Sequence, residues 1–490
     1  MHQLSKTDFK YYLDCPESIW LLKNKPDEYP KGEFSLFAEK LIKEGYEVEE
    51  YAKQLFENGV EIPENENATF TANLLNESES VFFQAAFSTK KGVFARVDIL
   101  ERLADGTWHI YEVKSSTSIK KDRKHRHIED ACFQKYVLQE CGYTVSKVSI
   151  IHLNMAYIKQ GDLNIAELLV TTEVTEAVDA MYSSVVNTIN AASNFINKTS
   201  INEAVCSCKY KTRSNHCDSF EYFNSEIPEY SIYEIGRISE KKIGLLADNE
   251  QLAIIDIPLD FRLSKNQKLQ VESVRQELVV IDKSAIKKTL AGLTFPLHFV
   301  DYETYPTAVP KLDGISPHKH LVFQVSIHTM QKDGTLTHFE WLGDALEQPV
   351  EMLKKMQEFT GLSGTFVSWS APFEIGRNNN MMAWIPEYST YLRYMNDYMF
   401  DLMVIFRQDY VDYRFHGSTS IKKVLPVLCP QLSYKDLMVQ DGTMALDTWG
   451  RMVTDPSFNE DIKLTRKNLL AYCKLDTLAM VEIYKVLKKL

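Results

Sequence analysis

Glu112 and Lys114 stand two residues apart in WHIYEVKSSTS. Residues two apart on a strand share a face, so Trp108, Ile110, Glu112 and Lys114 line one side, and His109, Tyr111 and Val113 the other. Alone, the pair reads as the wet face of a surface strand. Its chemistry changes if further carboxylates reach that face. Hard divalent cations take oxygen ligands, and an ammonium beside them polarises a water or stabilises charge on a phosphate. Asp98 is such a carboxylate: it shares a face with Phe94, Arg96 and Leu100 in VFARVDILER. The turn-forming ADG separates that strand from TWHIYEVKS, which signals a hairpin. Antiparallel pairing would bring Asp98, Glu112 and Lys114 to one face, where Mg²⁺ or Mn²⁺ could be held.

The elements around this face add more groups. The segment GEFSLFAEKLIKEGYEVEEYAKQLFENGV reads as an amphipathic helix or helix pair, with Phe37, Leu41, Ile42, Gly45, Val48, Ala52, Leu55 and Phe56 on one arc. Glu49 falls inside that arc, where a carboxylate is costly unless paired or metal-bound. Downstream, the basic run of Lys120, Lys121, Arg123, Lys124 and Arg126 offers either a solvated loop or a track for a phosphate backbone. It leads into a helix carrying Gln134 and Tyr136. This order (a helical glutamate, Asp98, Glu112-Val113-Lys114, then Gln134 and Tyr136) resembles the PD-(D/E)XK nuclease core. The likeness is to its RecB-type branch, which includes CRISPR-adaptation nucleases. The resemblance implies a restriction-endonuclease-like domain that hydrolyses DNA with one or two divalent metals. Glu49, Asp98 and Glu112 would then be ligands, Lys114 the catalytic lysine and Gln134 a helper near the substrate. The family often places a histidine where Glu49 stands, and spaces the Gln134 and Tyr136 positions more widely.

Of eight cysteines, Cys132, Cys141, Cys429 and Cys473 lie in apolar patterns and read as core. Cys206, Cys208 and Cys217 cluster in AVCSCKYKTRSNHCDSF, and Cys15 sits in YYLDCPESIWL. Four thiolates suit zinc or an iron–sulfur cluster, and the spacing alone neither chooses between them nor requires Cys15 to be a ligand. His216 is an alternative ligand by position. LDCPESIWL resembles the N-terminal stretch of iron–sulfur nucleases of the RecB type, which carry one cysteine there and three after the nuclease core. That resemblance implies a cluster, of the 4Fe-4S kind, stapling the two ends of the domain, with zinc as the alternative.

The second half carries its own set. Asp301 and Glu303 share a strand face in LHFVDYETY, Glu374 stands at a helix start in FVSWSAPFEIGRN, and Tyr472 and Asp476 are four apart in AYCKLDTLAMVEIYKVL. Tyr472 and Asp476 lie on the apolar stripe of that helix, which packing does not explain. Together these resemble the DnaQ-like exonucleases, which have an RNase H-like fold and four acids holding two metal ions. HGSTSIKKVLPVL resembles a helix that the same family places between its second and third motifs. The resemblance assigns Asp301, Glu303, Glu374 and Asp476 as ligands and Tyr472 as the group orienting the attacking water. Glu374 replaces the usual aspartate, and Ser370 stands where asparagine is common. Asp401, in FDLM, reads as a supporting acid.

With 490 residues, the chain exceeds one ordinary core. The reading is an α/β protein in three regions: 1–222 with the RecB-type core and cysteines, 223–290 as a helical linker, and 291–490 as the DnaQ-like domain. A net charge of −12 argues against a wholly basic surface but permits a local basic groove. No long apolar run or signal-peptide core appears, so a cytoplasmic location with no membrane partner is expected. The expected activity is metal-dependent hydrolysis of DNA, single-stranded or with free ends, including 3′-5′ trimming, in repair, processing or anti-phage defence. The alternatives are a nucleic-acid-binding protein with one or both sites silent, or a ribonuclease. Oligomeric state is not legible.

Overall fold

Along Val93–Ile99 buried and half-buried residues alternate strictly, the period-two pattern of a strand whose two faces meet different surroundings. The computed structural model of the chain describes residues 1–30, 32 and 36–490, and is mixed α/β throughout. The expected helical segment beginning at Gly32 includes Glu33, Phe34 and Ser35, which lie outside the described residues. Two compact units form. Unit 1 comprises Met1–Glu226 with Ala308–His318, and unit 2 comprises Ile227–Thr307 with Lys319–Leu490. Residues 227–290, read from sequence as a linker, thus fall inside unit 2.

Unit 1 opens with helices α1 (Lys6–Asp14), α2 (Pro16–Asn24) and α3 (Leu36–Lys53). Ser5 and Asp8 cap α1 reciprocally, and Pro16 begins α2, where its missing N–H costs nothing. Strands β1 (Val81–Ser88), β2 (Val93–Arg102) and β3 (Trp108–Lys114) follow as antiparallel neighbours. Helix α4 (His127–Glu140) crosses over to β4 (Val145–Leu153), parallel to β3, and β5 (Leu169–Glu173) closes the sheet antiparallel to β4. The long helix α5 (Thr175–Ile196) joins α4 over a core that includes Phe82, Ile110, Phe133, Val148 and Ile189. On α3 only Val48 and Ala52 are buried, and Leu41 and Ile42 are exposed, so the expected apolar arc is covered over only part of its length. The inserted Ala308 and Val309 pack with Val48 and Ala52.

In unit 2 the sheet order is β8 (Leu336–Leu342), β7 (His320–Met330), β6 (Leu297–Pro306), β9 (Thr365–Ser368) and β10 (Met399–Asp401). β7 runs antiparallel to β6 and β8, whereas β9 runs parallel to β6 and β10. Helix α6 (Pro372–Trp384) starts after β9, α7 (Ile421–Leu428) and α8 (Gly442–Thr454) follow, and α9 (Ile462–Lys488) ends the unit. Gly417 has φ +69°, and a Cβ there would lie 1.9 Å from the Glu234 carbonyl. Only glycine allows that approach, which fits the 227–290 segment against the chain leading to α7.

Candidate functional site

In unit 2, β6 presents Asp301 and Glu303 on the face that α9 covers. Three side chains of β7 set the height of α9 along the sheet: Gln324 donates to the Leu469 carbonyl at 2.8 Å, and Ser326 and His328 each meet the Thr477 hydroxyl at 2.7 Å. That register brings Asp476 over the strand acids. Carboxylate oxygens of Asp301, Glu303 and Asp476 lie within 4.8 Å of one another. Desolvation, then the neighbouring Asp476 charge, pushes both Asp301 and Glu303 well above the usual carboxylate range. Asp476 is raised to about 6 by burial, against the hydrogen bond from Tyr434 and the Lys422 charge. Three acids so placed repel one another when ionised, and a divalent cation relieves that repulsion. The residues therefore fit a hard-metal site.

Glu374, on the first turn of α6, is buried, and its Oε2 has no hydrogen-bond partner among the described residues. Burial raises it to about 8. Its charge acts on Asp301 and Glu303, but it stands outside their 4.8 Å group. Tyr472 lies beside Asp476, and burial with the Asp476 charge keeps its hydroxyl protonated. Sequence reasoning missed Tyr434, which donates to Asp476 Oδ1 at 2.6 Å, and Lys422, whose ammonium lies 5.8 Å from the ring centres of both tyrosines. Lys422 sits in the HGSTSIKKVLPVL segment that sequence singled out; nothing marks Tyr434. Cys473, read as core, also touches Asp301 Oδ2 at 3.6 Å. Asp401 accepts from the Ser370 and Met403 amides at 3.0 and 3.1 Å, fixing the turn before α6.

In unit 1, Leu100 pairs with Ile110. Continuing that register two residues sets Asp98 opposite Glu112. Asp98 Oδ2 accepts from the Val113 amide at 2.8 Å. Desolvation, then the Glu112 charge, raises Asp98 to about 7. Glu112 is almost fully buried, and its Oε1 receives both Lys114 at 2.7 Å and Lys6 at 2.6 Å. Burial alone would raise Glu112, yet the two ammonium groups hold it well below the carboxylate range. Gln134 donates to Glu112 Oε2, and Lys114 also binds Asp130 Oδ2 at 2.7 Å. Gln134 Oε1 and Asp130 Oδ1 are buried acceptors with no partner among the described residues. Oxygen donors left unsatisfied beside Glu112 fit a cation or water site. Glu49 accepts from Gln84 at 2.5 Å and lies 3.5 Å from Lys53; burial raises it. Asp98, Glu112 and Glu49 are not drawn together as closely as the unit 2 acids are. Asp130 was missed, although it stands four residues before Gln134 on one helix face; Lys6 gave no signal.

The basic run lies in the loop between Lys114 and α4. Lys121, Arg123 and Lys124 are exposed, Lys120 is half-buried, and Arg126 is bound to Asp14 Oδ1 at 2.9 Å. Cys15, Cys206, Cys208 and Cys217 are all free thiols whose sulfurs lie within 4.8 Å of one another, and three of them are buried. Asn224 donates to Cys206 Sγ at 3.3 Å. This donor set fits a four-thiolate metal site. His216 instead stacks on Phe220, with ring centres 3.5 Å apart.

Residues 298–420 match the family described as Domain of unknown function (DUF2779). The match includes Asp301, Glu303 and Glu374 and stops before Tyr472 and Asp476. No curated protein matches the chain. A solved structure named as that of SSO0001 aligns at 12% identity and a TM-score of 0.20, covering 40% of this chain and 77% of that one. So low a TM-score assigns no fold. Among the described residues, no helix is long and apolar enough to cross a membrane.

Proposed function

We propose that the chain is a metal-dependent nuclease with two active sites, hydrolysing phosphodiester bonds in DNA that is single-stranded or has free ends. The observation that carries this reading is the Asp301, Glu303 and Asp476 group, held within 4.8 Å beside Tyr472. Two motif sets, the RecB-type and the DnaQ-like, support it by resemblance. Divalent ions bound there would neutralise phosphate charge and clamp the attacking and leaving oxygens. Glu303, Asp301 and Asp476 would hold the ions, Tyr434 fixes Asp476 by its hydrogen bond, and the Tyr472 hydroxyl would orient the attacking water. Glu374, whose charge acts on Asp301 and Glu303, is the fourth acid of this reading. In unit 1, Asp98 and Glu112 offer oxygen ligands, Lys114 stabilises charge on the phosphate, and Gln134 steadies Glu112. Lys120, Lys121, Arg123 and Lys124 guide the backbone of the strand.

The thiolate site holds a structural metal centre joining Cys15 to the segment 206–217. The resemblance supports an iron–sulfur cluster. The sulfurs, all within 4.8 Å of one another, would suit one shared ion such as zinc, because a cluster with one thiolate per iron spreads its sulfurs wider. An absorbance band near roughly 400 nm in anaerobically purified protein decides for the cluster; a colourless protein with one zinc per chain decides for zinc.

Labelled single-stranded DNA should be degraded with Mg²⁺ or Mn²⁺, and Lys114→Ala and Asp301→Ala should each remove a different set of products. If both variants behave as wild type, the two-site assignment fails. A second reading, a nucleic-acid-binding protein with silent sites, is favoured by Glu374 standing outside the acid group and by the two lysines on Glu112. It predicts tight binding of DNA ends without turnover in any divalent metal. RNA cleavage in preference to DNA would move the substrate to the ribonuclease alternative. Repair, processing and anti-phage defence are all settings for the same chemistry.

A further inference from the structure

Lys6, Lys10 and Asp14 are spaced four apart along α1 and so share one helix face. Lys6 and Lys10 meet carboxylates of the Glu112 centre, and Asp14 anchors the helix to the loop before α4. Lys6 Nζ lies 2.6 Å from Glu112 Oε1, Lys10 Nζ 3.5 Å from Asp130 Oδ2, and Asp14 Oδ1 2.9 Å from Arg126. The helix ends on Cys15, whose sulfur belongs to the thiolate group. The Asp14 carbonyl is also engaged there, receiving Lys211 Nζ and, at 4.0 Å, Cys208 Sγ. One helix of nine residues therefore runs from the thiolate site to Glu112.

The charges explain what Lys6 does. Asp98, Glu112 and Asp130 face Lys6, Lys10 and Lys114, so the carboxylates carry no negative charge in excess of the cations already there. Two ammonium groups share the single oxygen Glu112 Oε1, although Lys114 alone would pair it. Lys114 is held from two sides by Glu112 and Asp130, whereas Lys6 reaches Glu112 only from α1. A divalent ion arriving at Glu112 adds two positive charges to a set with no negative excess, and the cation least tied to the strand must leave. We propose that Lys6 is a positioning residue of the Glu112–Lys114 centre, a resident cation that a divalent ion displaces, and that the thiolate site holds it there through α1. This rests on the reading of Glu112 as a metal ligand.

The test counts Mn²⁺ bound to the full chain by electron paramagnetic resonance, with Asp301→Asn and Glu303→Gln present in every protein to silence unit 2. Mn²⁺ is hard and leaves thiolates alone. Lys6→Met should tighten Mn²⁺ binding about tenfold, because a competing cation is gone, and Lys6→Arg should keep the parent affinity. Cys208→Ser should also tighten binding, and adding Lys6→Met to it should give no further gain, since both act through one contact. If Cys208→Ser does not fold, Asp14→Asn loosens the same helix without touching a sulfur. The proposal is overturned if Lys6→Met stays within about twofold of the parent, if Lys6→Arg matches Lys6→Met, or if the paired substitutions add. Glu112→Gln separates the two levels. Mn²⁺ binding that survives it overturns the Glu112 site itself, whereas binding lost in Glu112→Gln but unmoved in Lys6→Met overturns only the role of Lys6.

Discussion

Tyr434 makes one hydrogen bond that matters, to Asp476 Oδ1 at 2.6 Å. A bond to a charged group contributes about 1.5–3 kcal/mol, so on the proposed reading Tyr434→Phe should slow 3′ trimming by about ten- to a hundredfold. Binding of the DNA end should be little changed, because the hydroxyl acts on a ligand and not on the strand. Single-turnover rates on a 3′-labelled oligonucleotide check this; an unchanged rate would remove Tyr434 from the site. Tyr434 also shows the limit of reading residues singly. Asp301 and Glu303 stand out because period two puts them on one face, and Tyr472 and Asp476 because a turn of helix stacks them. Tyr434 lies in a loop with no period, and its partner is 42 residues away.

At the scale of elements, the unit 2 sheet carries three histidines, His298, His328 and His338, that burial holds below their ordinary value; the two that matter here are the more deeply buried His298 and His328. His298 on β6 is bonded through both ring nitrogens, to Thr329 and Ser363, and burial lowers it to about 4. His328 on β7 is lowered to about 3, by burial first and then by His338. Both lie below the ordinary value of 6.5 that the unfolded chain retains. Their stabilisation is complete above pH 6.5 and is lost as pH falls toward the folded values, because the unfolded chain takes up protons that the native sheet refuses. The raised carboxylates of unit 2 gain stability over the same interval, so the histidine loss, about 1.4 kcal/mol per pKa unit crossed, is read as the difference between wild type and a histidine variant in urea unfolding at pH 7 and pH 5. A His298→Gln variant should lose less over the same interval; an equal loss would exclude His298. The elements themselves were largely legible. The β2–β3 hairpin follows from ADG between alternating strands, and α9 from its unbroken 3.6 period. The run of helix and strand in 227–290 was legible as helical, but not its membership of unit 2, because close packing such as that at Gly417 leaves no periodic mark.

For the whole molecule, the thiolate site ties residue 15 to residues 206–217 across most of unit 1. A centre that binds only the folded chain adds its binding energy to stability. If the cysteines hold the proposed centre, stripping it with a strong chelator should speed amide hydrogen exchange in α1, α2 and the 206–223 segment, and leave β6 unchanged. Equal protection before and after would deny the site a structural role. The net charge of −12 says little about either acid site, since each is set by charges within a few ångström.

By itself the sequence determined which residues are candidates to carry chemistry: Glu112 with Lys114, Asp301 with Glu303, Tyr472 with Asp476, and the four cysteines. Each of these is local, written in a strand period, a helix period or a cluster of rare residue types. Only the tertiary structure decided what surrounds them. It placed Asp476 over β6 through the β7 contacts to α9, brought Tyr434 and Lys422 to the acids, set Lys6 and Asp130 around Glu112, and kept Glu374 apart from the group it was expected to join. Those outcomes depend on packing between segments tens to hundreds of residues apart, and on a balance of burial and charge that no local pattern encodes.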